Sequence, residues 1–405
     1  MIMKLINFKL FYLAIFKSLI VLGIGGCFSP LNSSNNQSLE PTISQSSQAS
    51  PSQQNITQVI LTEGLENPWG MDWLPNGDIL VTERPGRLRI IKNSKLEPQP
   101  IQGVPEVLSV GQGGLLDIAV HPNFSENGYI YLTYSSGTRR KNQTRIARAM
   151  LEGNQLKDVK VISEVSPTKR GGQHFGSRLQ WLNDGNLLAS IGDGGNPPLK
   201  IDGELIRKQA QKLDSYLGKI IRINDDGSIP ENNPFLDQEN ANPAIWSYGH
   251  RNIQGLTIDK KTGQIWSTEH GSRGGDELNK VVAGENYGWP VVTHSQEYTG
   301  GEISDKRSLP GMVDPLVVWT PAIAPSGLTF YDGDKFMDWK GDLFAGGLVA
   351  REVIHIDLND AGEIVAKYPI KFEQRVRDVK QGPDGFIYVL TDDSNGKLIR
   401  LEPTK

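Results

Sequence analysis

Short runs in which apolar and polar residues alternate occur in pairs along this chain, and each pair is joined by a turn containing glycine. Six pairs can be traced. Gly70–Leu74 leads through Asn76-Gly77 to Ile79–Val81, Leu116–Val120 through Asn127-Gly128 to Ile130–Leu132, and Leu179–Leu182 through Asp184-Gly185 to Leu187–Ala189. Leu256–Ile258 follows with Thr262-Gly263 and Ile265-Trp266, then Leu328–Phe330 with Lys340-Gly341 and Leu343-Phe344, then Val376–Val379 with Asp384-Gly385 and Ile387–Val389. Period-two runs joined by Asn-Gly or Asp-Gly predict β-hairpins, because the turn needs residues that tolerate positive φ. Hairpins recurring every roughly 45 to 80 residues predict one blade per repeat. The expected fold is therefore all-β: a six-bladed β-propeller with four-stranded antiparallel blades, spanning residues 57–405. Loops of different blades then converge on one axis, so residues distant in sequence can share a pocket.

The first 56 residues do not share this pattern. Lys4 and Lys9 precede the apolar stretch Ser18–Gly26, which is too short to span a bilayer and reads, over residues 1–27, as a secretory signal. Ile24-Gly25-Gly26-Cys27 is similar to a bacterial lipobox, whose cysteine carries the lipid. Ordinary signal cleavage beside an incidental cysteine is the alternative. Residues 28–56, rich in Ser, Gln, Asn and Pro, read as a flexible polar tether. The expected location is the periplasmic side of a bacterial envelope, with membrane attachment through Cys27. Cys27 is the single cysteine of the chain, so no intrachain disulfide can form. A net charge of −4 without a basic cluster gives no footprint for nucleic acid.

Polar, glycine-rich clusters sit at the edges of the apolar runs. His174, within Gly171–Leu179, is a candidate base near neutral pH, and Asp193 could bring a carboxylate beside it. Taken singly, a structural histidine and a turn aspartate are the plainer readings. Arg251, Asn252 and Gln254 offer fixed donors for carboxylates or a developing oxyanion, or else a salt bridge between blades. Glu269–Glu277 followed by Asn286–Pro290 supplies carboxylates and free carbonyls suited to a hard cation such as Ca²⁺, although an acidic surface loop has the same composition. Arg375 and Arg377 alternate onto one side of a strand, where two guanidiniums repel unless an anion or solvent intervenes.

Together with Gly111–Asp117, Leu217–Ile223 and Asn233–Phe235, these clusters resemble the soluble pyrroloquinoline quinone (PQQ)-dependent aldose sugar dehydrogenases of the glucose/sorbosone dehydrogenase family. The most specific segments are Tyr248–Asn252 and Gly274–Glu277 with Asn286–Pro290. The resemblance implies a six-bladed propeller that oxidises aldoses at the anomeric carbon to lactones and passes electrons to an external acceptor. It implies His174 as the base that removes the anomeric hydroxyl proton, Asp193 as its orienting partner, and Arg251 as the stabiliser of charge on the quinone oxygen. Gln112, Arg251, Asn252, Tyr298, Gly347, Leu348, Val349, Arg375 and Arg377 would line the cofactor. Carbonyls of Gly271 and Ser272 would hold a Ca²⁺ that also binds PQQ, and Glu277 with the Tyr287 carbonyl a second, structural Ca²⁺. Three positions depart from the family pattern. Ser272 replaces a frequent proline, Val349 a common lysine whose charge Arg351 is placed to supply, and Gln173 an acidic residue of the glucose-oxidising branch; a permissive site is expected. A Ca²⁺-dependent lactonase-type hydrolase and a non-catalytic binding propeller are the other readings of such a fold. The hydrolase needs carboxylate or amide metal ligands at the axis and no arginine cluster.

Overall fold

The computed structural model describes residues 56–404. The signal, Cys27 and nearly all of the tether expected from the sequence lie outside the described residues. Six four-stranded antiparallel sheets make up the body. From the inner strand outwards, blade 1 is Pro68–Trp73, Ile79–Glu83, Arg87–Lys92 and Lys95–Leu96; blade 2 is Leu115–Val120, Tyr129–Thr138, Lys141–Glu152 and Gln155–Glu164; blade 3 is Leu179–Trp181, Leu187–Ile191, Lys219–Ile223 and Ile245–Tyr248. Blade 4 is Ile253–Ile258, Ile265–Glu269, Asp276–Val281 and Val317–Trp319; blade 5 is Pro325–Phe330, Leu343–Gly347, Glu352–Leu358 and Ile364–Lys371. Blade 6 takes Val376–Gln381, Ile387–Thr391 and Gly396–Pro403 from the end of the chain and its outer strand, Ile56–Leu65, from the beginning. Inner strands of successive blades touch in turn, and the sixth touches the first, which closes the ring.

Each predicted hairpin is the inner pair of strands of one blade. The six turn glycines, Gly77, Gly128, Gly185, Gly263, Gly341 and Gly385, all have positive φ, between 66° and 104°. A side chain there would strain the backbone, so the glycines set the repeat.

The core lies between blades. Leu80, Leu88 and Ile90 of blade 1 pack on Ile118, Ile130 and Leu132 of blade 2. Tyr131 and Ile146 meet Ala189, Ile191 and Ile221, and Leu188 and Ile220 meet Leu256 and Ile258. The same packing joins blade 4 to 5, blade 5 to 6, and blade 6 back to blade 1 through Leu390 and Leu398 against Met71 and Val81. Because both faces of the inner strands are covered, the second strands of blades 1 and 3 to 6 are buried at every residue. Each large aliphatic side chain removed from water there contributes about 1.5–3 kcal/mol.

Buried hydroxyls on the second strands reach the inner strand, or its entry, of the next blade. Thr82 donates to the Leu116 carbonyl, Thr133 to Ser177 at 2.8 Å, Ser190 to Ile253 at 3.3 Å and Thr268 to Ser326 at 3.4 Å. These bonds hold the openings of successive inner strands in register. Five inner strands also carry a register shift near their start, between Pro68 and Met71, Leu115 and Ile118, Ile253 and Gly255, Pro325 and Leu328, and Val376 and Asp378. Such bulges turn side chains out of the pleat, here at the end of the axis where the site lies.

Candidate active site

Two kinds of segment supply the site: those that enter an inner strand, and those that follow a second strand. Antiparallel pairing places both at the same end of every blade. Gln112, His174, Arg251, Asn252, Ala324 and Arg375 lie on segments of the first kind. Arg84, Asp193, His270, Leu348 and Asp392 lie on segments of the second.

His174 is buried in a left-handed backbone conformation, φ 48°. Its N–H donates to Gln112 Oε1 at 2.7 Å, and Lys169 Nζ donates to the preceding carbonyl, that of Gln173, at 2.7 Å. A Cβ on Gly192 would lie 2.3 Å from the His174 carbonyl oxygen, so glycine is what lets the loop seat there. His174 Nδ1 lies 2.6 Å from Asp193 Oδ1. Asp193 is fixed in turn by Trp289 Nε1 at 2.8 Å on Oδ2 and by the Gly195 N–H at 3.0 Å on Oδ1.

The tautomer of the imidazole follows from donor arithmetic. Arg251 can only donate, and its NH2 group lies 2.9 Å from Asn196 Oδ1, which makes that atom the acceptor. The Asn196 Nδ2 amide therefore faces His174 Nε2, at 3.4 Å. An amide nitrogen can only donate, so Nε2 keeps its lone pair and Nδ1 carries the proton to Asp193. This is the tautomer a base requires. One asparagine spans His174 and Arg251, so the two stand as neighbours.

Electrostatics agree with that assignment. Burial, and then the Arg251 charge, hold the His174 pKa below the ordinary imidazole value against the pull of Asp193. Burial would raise Asp193, but the partnership with His174 and the Arg251 charge outweigh it and keep the carboxyl low. The ring is thus neutral and its partner ionised at pH 7. Lys169, 3.7 Å above the Phe175 ring, is pushed by burial down to about 7.

Beside this group a cavity of about 210 Å³ occupies the axis, and all six blades line it. Trp69, Leu116, Phe175 and Leu348 give apolar walls, Gln112, Asn252 and Gln254 give amides, and Arg84, Arg375 and Arg377 give guanidiniums, with Asp392 as the one carboxylate and His270 completing the set beside Gly176 and Ala324. Burial, then the Arg251 charge, push His270 down to about 3, so it is neutral; its Nε2 donates to the Pro325 carbonyl at 2.7 Å. The Nε atoms of Arg84 and Arg377 and Oδ1 of Asp392 are buried without a partner. Unpaired buried guanidinium donors in a cationic cavity with aromatic walls fit a planar polycarboxylate.

Of the cofactor-lining candidates, Gln112, Asn252, Leu348, Arg375 and Arg377 line this cavity. Arg251 borders the adjoining smaller one. Gly347, the last residue of its strand, is not in the lining. Tyr298 and Val349 are 60 % and 61 % exposed and also lie outside it. Arg351 donates to the Glu373 carbonyl at 3.4 Å and is likewise not in the lining. The third cation of the cavity is Arg84, held at 2.7 Å by the Gly111 carbonyl.

The smaller cavity, about 10 Å³, gathers Gly271, Glu277 and Tyr287 with Arg251, Glu269 and Ser295 among its walls. Ser272 lies beside it, its N–H on Ser295 Oγ at 3.0 Å and its own hydroxyl buried without a partner. Asn279 Nδ2 is divided between Glu269 Oε1 at 3.3 Å and Glu277 Oε2 at 3.4 Å. Burial and then the Glu269 charge push the Glu277 carboxyl well up. Two carboxylates sharing one amide, Glu269 buried and Glu277 half-buried, with carbonyls nearby are a donor set that a hard cation satisfies. The described residues hold no cluster of three or more His, Cys, Asp or Glu, so the remaining ligands of such an ion would be carbonyls and hydroxyls.

Sequence reasoning passed over Arg84, Asn196 and Asp392. For Arg84 and Asp392 the missing signal was register: each directly follows the second strand of its blade, as His270 and Leu348 do. Asn196 has no such mark, since it belongs to an irregular loop.

The glucose/sorbosone dehydrogenase family profile matches residues 65–400. The chain belongs to the glucose/sorbosone dehydrogenase family. Within it, the aldose sugar dehydrogenase YliI of Escherichia coli is 37% identical, over 88% of this chain and 94% of its own length. The solved structure of the E. coli soluble aldose sugar dehydrogenase in its apo form superposes with a TM-score of 0.80 at 36% identity, covering 86% of this chain and 99% of that one. The PQQ-bound aldose sugar dehydrogenase of Streptomyces coelicolor gives a TM-score of 0.69 at 26% identity, over 86% of this chain and 98% of that one. Glucose/sorbosone dehydrogenase membership accords with the propeller and with the order of the motifs along it.

Proposed function

We propose that the protein oxidises aldose sugars at the anomeric carbon to lactones, with PQQ in the axial cavity and Ca²⁺ at the carboxylate-and-carbonyl pocket, and passes the electrons to an external acceptor. The observation that carries this reading is the single amide of Asn196 joining a base-ready His174 to Arg251 beside a cavity lined by guanidiniums. Gln112, Asn252, Arg84, Arg375 and Arg377 would hold the cofactor between the apolar walls. Bound there, PQQ supplies the two-electron acceptor that side chains lack. The chain's own residues do the proton work. His174 Nε2 takes the hydroxyl proton of the sugar, and Asp193 on Nδ1 stabilises the imidazolium and fixes the ring plane. Trp289 and Gly195 keep that carboxylate from rotating. Arg251 holds a cationic donor next to the base without reorganisation.

Apoprotein given PQQ and Ca²⁺ is expected to gain aldose-dependent dye reduction, and chelation of Ca²⁺ before loading to suppress it. No gain across a panel of mono- and oligosaccharides would sink the proposal. Beside His174 stand the amides of Asn196 and of Gln173, the latter where the glucose-oxidising branch carries an acid, with Gln173 Oε1 3.4 Å from Asn196 Nδ2; this favours a broad range of neutral aldoses.

Asn196→Asp places a carboxylate against both His174 and Arg251. An adjacent anion favours the imidazolium, so the His174 pKa rises and the acid limb of kcat/KM moves up by about one pH unit. An unmoved limb would remove Asn196 from contact with the base.

The N-terminal segment supports a place at the periplasmic side of a bacterial envelope, lipid-anchored through Cys27. Metabolic labelling with a fatty acid should mark the wild type and not Cys27→Ser; equal labelling would refute the anchor.

A further inference from the structure

Asp392 has no part in the proton chemistry, yet it stands among the arginines of the axial cavity. Its Oδ2 accepts from Arg377 NH2 at 3.0 Å and from Arg375 Nε at 3.4 Å. Its backbone N–H separately binds the Arg375 carbonyl at 2.7 Å, so the loop would keep its course with an amide side chain in place of the acid. Among the described residues Arg377 finds only one other acceptor, Gln254 Oε1 at 3.4 Å, while its Nε and Asp392 Oδ1 are buried and unpaired there. The charged groups facing this point are Arg84, Arg375, Arg377 and Asp392, His270 being neutral; three cations meet one anion.

The geometry points to Asp392 as an internal counter-ion that holds the guanidinium pair together while the cavity lacks its ligand, a role that rests on the reading of that cavity as a polycarboxylate cofactor site. Each arginine spends one donor on Asp392, and Arg377 a second on Gln254 Oε1, which leaves the other donors of the pair for an incoming carboxylate. A polyanionic ligand brings its own negative charge to the same cations. Asp392 therefore stabilises the free protein more than the loaded one. By linkage, its removal must make the ligand bind more tightly. An ion pair with a merely structural role would be lost equally from both states.

The test compares wild type with Asp392→Asn, by thermal melting with and without saturating PQQ and by spectroscopic PQQ titration in the absence of sugar. The apo variant should melt at least about 3 °C lower. PQQ should close most of that gap, and its affinity should rise about tenfold. An equal drop in both states, or weaker PQQ binding, overturns the counter-ion role. If PQQ leaves wild-type melting unmoved, the cofactor reading fails on its own account, and the counter-ion is then judged on the free protein. There, Arg375→Gln added to Asp392→Asn should raise melting back above the single variant, because the cation left without its partner is gone. The same double variant serves if Asp392→Asn alone folds poorly. Failure of Arg375→Gln to restore stability would mean that Asp392 is needed for its shape and not for its charge.

Discussion

Replacing His174 by alanine lowers turnover by about 10²–10⁴-fold while PQQ still binds. The cavity that would hold the cofactor is built by other residues, and the backbone N–H of position 174 that Gln112 grips survives the change. What disappears is the Nε2 lone pair that the proposed reaction uses to take the sugar's hydroxyl proton. The wild-type pH profile should carry the same signature. His174 must be neutral to accept a proton, so activity falls as pH drops through its folded pKa. Burial and the Arg251 charge place that pKa below the ordinary value, so the plateau extends below the usual histidine range before the acid limb begins. Steady-state kinetics across pH, with PQQ titration of the variant, measures both. A variant turning over at a near-normal rate would remove His174 as the base.

Arg251→Gln is expected to cost about 10²–10³-fold in kcat. The guanidinium is anchored on three sides: NH2 on Asn196 Oδ1 at 2.9 Å, NH1 on the His270 carbonyl at 3.0 Å, and the carbon of the fork 5.3 Å from the centre of the Trp289 ring. The backbone N–H of Arg251 donates to Glu269 Oε2 at 2.6 Å. A cation fixed this firmly acts without reorganising during the reaction. It also keeps His174 neutral, so the variant's acid limb should move to higher pH as well. Arg251→Lys keeps the charge and loses the planar fork, and should recover the limb more than the rate. An Arg251→Gln enzyme with both rate and limb unchanged would contradict the assignment.

The inner half of every blade was legible from sequence because burial on both faces forces apolar runs and the hairpin turn forces glycine. Outer strands were not. Gln155–Glu164 is buried only at Leu156, and Ile364–Lys371 alternates between half-buried and exposed along most of its length, so neither shows a core-facing pattern against its polar surroundings. At the site, His174, Asp193, Arg251, Asn252 and the Arg375/Arg377 pair stood out as polar residues at the borders of apolar runs, Gln112 came from the family resemblance, and the structure brings them to one end of the axis. Between Arg375 and Arg377, where the sequence left an anion or solvent open, the structure places Asp392, which stands too far along the chain for local spacing to find. Tyr298 and Val349 were named only through family resemblance, and in this chain both are exposed and outside the cavity lining. Arg84, from blade 1, adds a third guanidinium to the cavity that position 349 does not line.

Ring closure has a consequence for how the protein ages. The blade that carries Arg375, Arg377 and Asp392 depends on Ile56–Leu65 for its outermost edge, joined to Gly396–Pro403 from Ile56 against Pro403 to Leu65 against Gly396. A nick that frees those ten residues would take none of the cavity's own side chains, yet it would unzip the clasp of the wheel directly behind its anion-gripping spoke. Loss of cofactor retention should therefore precede any general collapse when proteases work inward from the first residues.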